Sequence, residues 1–194
     1  MDPRKATKSR KTNETEIRVS LNLDGTGEYQ IGTGIPFFDH MLAQLARHGH
    51  FDLEISAKGD LEIDGHHTVE DVGWVLGQAF REAGGDRRGI VRFAHAYVPL
   101  DEALTRVVID LSGRPYLAYK VEFRATRIGD LQTELIEEFL KAFVQEGLFN
   151  LHVENLYGRN QHHIAETIFK ATARGLHVAT RVEHTQVPST KGVL

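Results

Sequence analysis

The sequence predicts an α+β protein made of two copies of one strand-and-helix unit. Three features carry this: short runs in which apolar and polar residues alternate, longer runs with apolar residues at helical spacing, and the return of the same order of elements in the second half of the 194 residues. Mainly antiparallel strands with helices clustered against them make the class α+β.

In the first half, Ile17, Val19, Leu21 and Leu23 share one face of a strand over 16–23, and Asp24-Gly25 is a turn signal. After Gly34-Ile35-Pro36, residues 37–47 have helical spacing, with Phe38, Met41, Leu42 and Leu45 on one stripe, and Gly49 ends the run. Residues 51–56 alternate as a strand. The period over 67–83 is again helical, closed by Gly84-Gly85. The second half repeats this with strands over 104–111 and 117–123, separated by Ser112-Gly113-Arg114-Pro115, and a helix over 131–144. A strand over 148–153, a turn at Gly158-Arg159-Asn160 and a helix over 162–182 complete it. Residues 12–91 thus form the first repeat and 92–194 the second, folded together as one catalytic unit.

Residues 1–11 read as a basic, disordered tail: Arg4, Lys5, Lys8, Arg10 and Lys11 stand against one acid, Asp2. The tail's +4 against a total of −4 leaves −8 for the body, which argues against nucleic acid as a partner. No apolar run approaches the roughly 18–20 residues of a membrane span, and no signal-peptide pattern opens the chain, so no membrane partner and a cytoplasmic location are expected. The sequence holds no cysteine, so any metal must be held by nitrogen and oxygen. Eleven histidines point the same way.

Both halves place a double histidine with a glutamate three residues later at the start of the final helix. The first copy is Asp64-Gly65-His66-His67-Thr68-Val69-Glu70-Asp71, and the second is Asn160-Gln161-His162-His163-Ile164-Ala165-Glu166. Residues four apart share a helix face, while neighbours point about 100° apart. His66 and Glu70 can therefore reach one ion together while His67 points elsewhere, and His162, Glu166 and His163 repeat that division. Two such motifs facing each other serve two ions, each taking the pair from one helix and the single histidine from the other. His40 and Glu138 occupy corresponding helix positions, 26 residues before His66 and 24 before His162, and either can ligate. Mixed imidazole and carboxylate shells suit manganese, iron or zinc, and six-coordination with open positions favours manganese or iron. The metalloprotease pattern His-Glu-x-x-His is absent, which disfavours peptide hydrolysis.

These motifs, with Phe37-Phe38-Asp39-His40-Met41 and the tail Pro188-Ser189-Thr190-Lys191-Gly192-Val193-Leu194, resemble imidazoleglycerol-phosphate dehydratases of the monofunctional form, from about Thr12 onward. The resemblance implies a duplicated fold like the second domain of ribosomal protein S5, a 24-subunit shell built from trimers, and two manganese ions per active site where subunits meet. It implies that one ion takes His40, His67, His162 and Glu166, and the other His66, Glu70, His163 and Glu138. Some members of the family carry histidine where this chain has Glu138. Glu14 is the implied general acid/base. Arg92, Arg114, Lys170, Ser189, Thr190 and Lys191 match positions that bind the substrate's phosphate, arginine by a bidentate fork and lysine as a point charge. Gln44 and His48 follow His40 at i+4 and i+8, along the same face, and are candidate substrate contacts. His95, His152, His177 and His184 are read as structural or surface residues.

The implied reaction is removal of water from imidazole glycerol phosphate to give imidazole acetol phosphate, in histidine biosynthesis. Two manganese ions, one on each ring nitrogen, would favour the imidazolate and let the ring expel the adjacent hydroxyl. Two other readings share the ligand pattern: another di-metal enzyme acting on a phosphorylated small molecule, and a metal-binding shell protein without catalysis.

Overall fold

The computed structural model describes residues 4–192 and 194. The first unit runs β1 (Lys5–Lys11), β2 (Thr15–Asn22), β3 (Tyr29–Gly32), α1 (Pro36–Gly49), β4 (Asp52–Gly59) and α2 (His66–Gly84). The second opens with β5 (Phe93–Leu100), β6 (Ala103–Asp110) and β7 (Tyr116–Lys120). A small hairpin of β8 (Arg127–Ile128) and β9 (Leu131–Gln132) follows, then α3 (Glu134–Gly147), β10 (Asn150–Tyr157) and α4 (Gln161–Thr180). The sheets run β1-β2-β4-β3 and β5-β6-β10-β7. In each, the last pair is parallel and the other two are antiparallel. The duplication read from the sequence is therefore a duplication of topology.

The basic segment is not a disordered tail. It forms strand β1, paired with β2 along its whole length, so the first repeat begins at residue 5 rather than 12. Its bases meet acids of the body: Arg4 pairs with Asp24, Lys8 with Glu82, Arg10 with Asp71 and Lys11 with Glu16. Lys8 and Arg10 lie on the same side of the strand as the buried Ala6, their stems half-covered. Hydrophobic alternation cannot reveal a strand whose inward positions are basic. Strands β3 and β5 also escaped the reading, and residues 131–132 belong to β9 rather than to the following helix.

The helices of the two units interlock. α1 packs on α4 and α2 on α3, while α2 covers β1 and β2 and α4 covers β5 and β6. Phe139 of α3 joins the layers, edge-on to Phe38 of α1 at 5.2 Å and stacked on Phe169 of α4 at 5.5 Å. The α2–α3 approach depends on glycine: a Cβ at Gly73 would lie 2.6 Å from the Phe139 carbonyl oxygen, and one at Gly77 2.7 Å from that of Phe143. Among the described residues, no helix is long and apolar enough to cross a membrane.

Candidate metal centre

The α1–α4 crossing brings together residues far apart in sequence. Pro36 starts α1, and the Asp130 carboxylate accepts the Phe37 N–H at 3.0 Å, so the second unit pins the first turn of α1. At the start of α4, the Asn160 side chain accepts the N–H groups of His162 and His163 at 2.9 and 3.4 Å. Between these two helix starts, His40, His162 and Glu166 each place a ligand atom within 4.8 Å of the others. Glu166 Oε2 lies 3.1 Å from His40 Nε2 and 3.0 Å from His162 Nε2, and the Phe37 ring stands edge-on to His162 at 5.1 Å. Glu166 is buried, whereas both histidine side chains are more than 40% exposed, so the group opens outward.

Glu166 is also a strong anion. Burial opposes its charge, but hydrogen bonds from Lys170, His162 and His40 prevail and hold its carboxyl at about 2. Lys170 Nζ lies 2.5 Å from Glu166 Oε1, the i, i+4 contact expected from their spacing. Along α1, His48 Nε2 is 3.2 Å from the Gln44 side-chain oxygen, and Gln44 faces His40. Burial and then the charge of Lys170 push His48 below the ordinary histidine range. A buried carboxylate and two half-exposed imidazoles are a donor set suited to a divalent transition-metal ion such as manganese.

The second histidine of each pair points away from the first. The ring planes of His66 and His67 are 89° apart, and those of His162 and His163 are 84° apart. Each second histidine meets a carboxylate through Nδ1. His67 lies 3.0 and 3.2 Å from the oxygens of Asp60, and His163 lies 2.8 Å from Glu102. Glu102 also accepts the N–H groups of Arg159 and Asn160 at 3.0 and 2.6 Å. Asn160, then His163 and Arg159, hold its carboxyl down at about 2. His67 is raised, first by its bond to Asp60, and Glu14 adds to that charge. Glu14 is exposed in the turn between β1 and β2, its N–H on Thr12 Oγ1 at 3.1 Å.

A separate cavity of about 730 Å³ is lined by Arg92, Ser112, Arg114, Ser189, Thr190 and Lys191, with Gly113 against Leu194. The C-terminal residues are built into the wall: the Pro188 carbonyl accepts from the Arg92 guanidinium at 2.7 Å, and Gly192 N–H bonds the Ser189 carbonyl at 3.0 Å. The Arg92 N–H binds the Ala179 carbonyl near the end of α4. Ala179 is thirteen residues beyond Glu166, which at helical rise is about 20 Å. The end of α4 that adjoins this basic cavity is therefore about 20 Å along the helix from Glu166.

Residues 33–176 match the imidazoleglycerol-phosphate dehydratase family. The chain belongs to this family. Its members are carbon–oxygen hydro-lyases of histidine biosynthesis. An imidazoleglycerol-phosphate dehydratase of Magnetococcus marinus is 60% identical over 192 residues, covering 97% of each chain, and one of Gluconacetobacter diazotrophicus is 61% identical, covering 98% of each. The crystal structure of the Staphylococcus aureus dehydratase superposes with a TM-score of 0.84 at 37% identity, over 92% of this chain and 99% of that one.

Against the residue set expected for a dehydratase of this family, the structure gathers two groups. His40, His162 and Glu166 converge, with Lys170, Gln44 and His48 beside them. Arg92, Arg114, Ser189, Thr190 and Lys191 share the cavity. Lys170 lies on the Glu166 carboxylate rather than in that cavity, and Asp110 takes the Arg92 fork at 2.7 and 3.3 Å. His66, Glu70 and Glu138 do not form a second group of three among the described residues; the Glu138 carboxylate is bonded to Lys141 at 3.2 Å. Sequence reasoning missed Asp60 and Glu102. Asp60 stands seven residues before His67 without a recognisable spacing, and Glu102 is 61 residues from His163, where only the fold could join them.

Proposed function

We propose that this protein converts imidazole glycerol phosphate to imidazole acetol phosphate and water, at a site holding two manganese ions and completed by neighbouring copies of the chain. The observation that carries the reading is the convergence of His40, His162 and Glu166 at the α1–α4 crossing, in a chain of this family. Three ligands leave an octahedral ion short. His67, held on its own carboxylate with its other nitrogen free, is suited to supply the fourth from another copy, and His66, Glu70, Glu138 and His163 are the donors for the second ion. When bound, the ions supply the Lewis acidity that makes the imidazole ring able to expel the adjacent hydroxyl.

The chain's own groups provide the rest. Glu14, exposed beside His67, travels with it into a neighbour's site and moves the proton: the C–O bond breaks, the hydroxyl leaves as water, the adjacent C–H gives up its proton, and the enol ketonises. Arg114, Ser189, Thr190 and Lys191 bind the phosphate, with Arg92 anchoring the C-terminal segment and Lys170 holding Glu166 ionised. Gln44 and His48 line the approach along α1.

Self-association follows from the roughly 20 Å between cavity and histidine group, and a shell of 24 copies built from trimers is the form we propose. The outward face of the second sheet supports it. Phe93, Tyr97, Val108 and Tyr116 are exposed there, whereas the first sheet presents Thr7, Ser9, Glu16, Arg18, Glu54 and Lys58. A cytoplasmic location completes the proposal. The test is turnover of imidazole glycerol phosphate by protein stripped with chelator and titrated with manganese. Activity that disappears on stripping and returns with manganese is expected; a metal-loaded protein that leaves this substrate untouched would overturn the reading.

A further inference from the structure

We propose that Asp60 and Glu102 are positioning residues: each fixes the second histidine of a pair as a single-ligand arm, with Nδ1 bound and Nε2 turned outward toward an ion. This rests on the two-metal reading above. An ionised carboxylate can only accept hydrogen bonds, so the imidazole nitrogen facing it must carry the proton. His67 and His163 are thereby set as the Nδ1–H tautomer, which leaves the Nε2 lone pair free. His162, the first histidine of its pair, instead aims Nε2 at Glu166 within its own helix.

The duplication did not supply this arrangement. Asp60 directly follows β4, at the start of the loop into α2, while Glu102 sits in the β5–β6 hairpin, which corresponds to the β1–β2 hairpin of the first unit. Two carboxylates from non-equivalent places reach the same nitrogen of equivalent histidines. Holding Nδ1 sets ring orientation, tautomer and basicity at once, as the outer partner of a metal-ligating histidine does. The two differ in stiffness: Glu102 is clamped by two backbone N–H groups from the loop entering α4.

The test uses Asp60→Asn and Glu102→Gln in the full chain. An amide oxygen can still accept from the Arg159 and Asn160 N–H groups, so the loop persists, while the amide nitrogen turned to Nδ1 donates and forces the Nε2–H tautomer. In metal-free protein, magic-angle-spinning ¹⁵N spectra should show Nδ1–H for His67 and His163 in the parent and Nε2–H for one of them in each variant. Manganese titration, followed by the magnetic resonance signal of free ion, should show one of two ions per chain weakened by about 10- to 100-fold in each variant. Asp60→Asn should weaken the ion that His67 serves and Glu102→Gln the other, with the metal-free melting temperature kept. Parent spectra showing Nε2–H, or variants binding both ions like the parent, would overturn the positioning role alone. A parent that binds no manganese would overturn the two-ion reading and this role with it.

Discussion

The starts of α2 and α4 carry the same His-His-x-x-Glu pattern, yet their surroundings differ position by position. Around Glu166 stand Lys170, His48 and the His40 imidazole. The positions that correspond around the first motif are Trp74 on α2 and Glu146 and Glu138 on α3. Trp74 takes the Arg10 guanidinium over its ring at 4.9 Å, Glu146 bonds Gln78 at 3.0 Å, and Glu138 bonds Lys141. One copy of the motif thus carries a cation beside its glutamate. The other lacks that cation, and its residues form no group of three among the described residues. A deeper pair diverged in the same way: Thr15 donates to Asp71 where Thr105 and Thr167 share a neutral hydrogen bond of 2.8 Å. Duplication preserved the backbone positions, while the charges neighbouring each copy diverged.

The largest effects should come from removing the two glutamates. Glu166→Gln and Glu70→Gln should each lower bound manganese from two ions per chain to one and cut turnover on the order of a thousandfold, the several kcal/mol that a lost Lewis acid represents. If Glu70→Gln keeps both ions in a metal assay, the first copy of the motif is not a metal arm and the comparison fails. The helix crossings differ next. Gly73→Ala should destabilise the protein by about 1–3 kcal/mol in denaturant unfolding, because the added methyl meets the Phe139 carbonyl oxygen. Phe169 fills the corresponding position of α4, so crowding of this kind is specific to the α2–α3 crossing.

Arg10→Ala should cost about 1 kcal/mol by removing a partly exposed partner of the buried Asp71, measured by the same unfolding experiment. Stability equal to the parent would mean that the Asp71 bridge adds nothing over its neutral counterpart. A further effect concerns pH. Glu166 is lowered from 4.5 to about 2, so in metal-free protein its contribution is complete above about pH 4.5 and is lost as pH falls toward 2. Lys170→Met should raise the Glu166 carboxyl toward its ordinary value and flatten the stability loss in that window. An unchanged profile would show that Lys170 does not hold the carboxylate.

Much of the site was legible because helices impose short-range arithmetic. The pairing of His162 with Glu166, the divergence of His163 and the reach of Lys170 all follow from 3.6 residues per turn, and the correspondence of His40 with Glu138 follows from the duplication. The C-terminal Ser189-Thr190-Lys191 was not legible from spacing, since such an end ordinarily frays; the family resemblance raised it, and Arg92 on the Pro188 carbonyl shows what ties it down. Strand β1 was misread because its inward positions are Lys8 and Arg10, whose acidic partners Glu82 and Asp71 lie far along the chain.

By itself the sequence determined the duplicated α+β order, the two His-His-x-x-Glu motifs and their internal division into paired and single arms, since these depend on local periodicity. Only the tertiary structure decided which motif gathers its ligands, which carboxylates orient His67 and His163, and that the anion cavity lies about 20 Å along α4 from the histidine group. Those facts depend on contacts between residues dozens of positions apart, and local periodicity carries no information about which distant side chains the packing of two sheets and four helices will bring together.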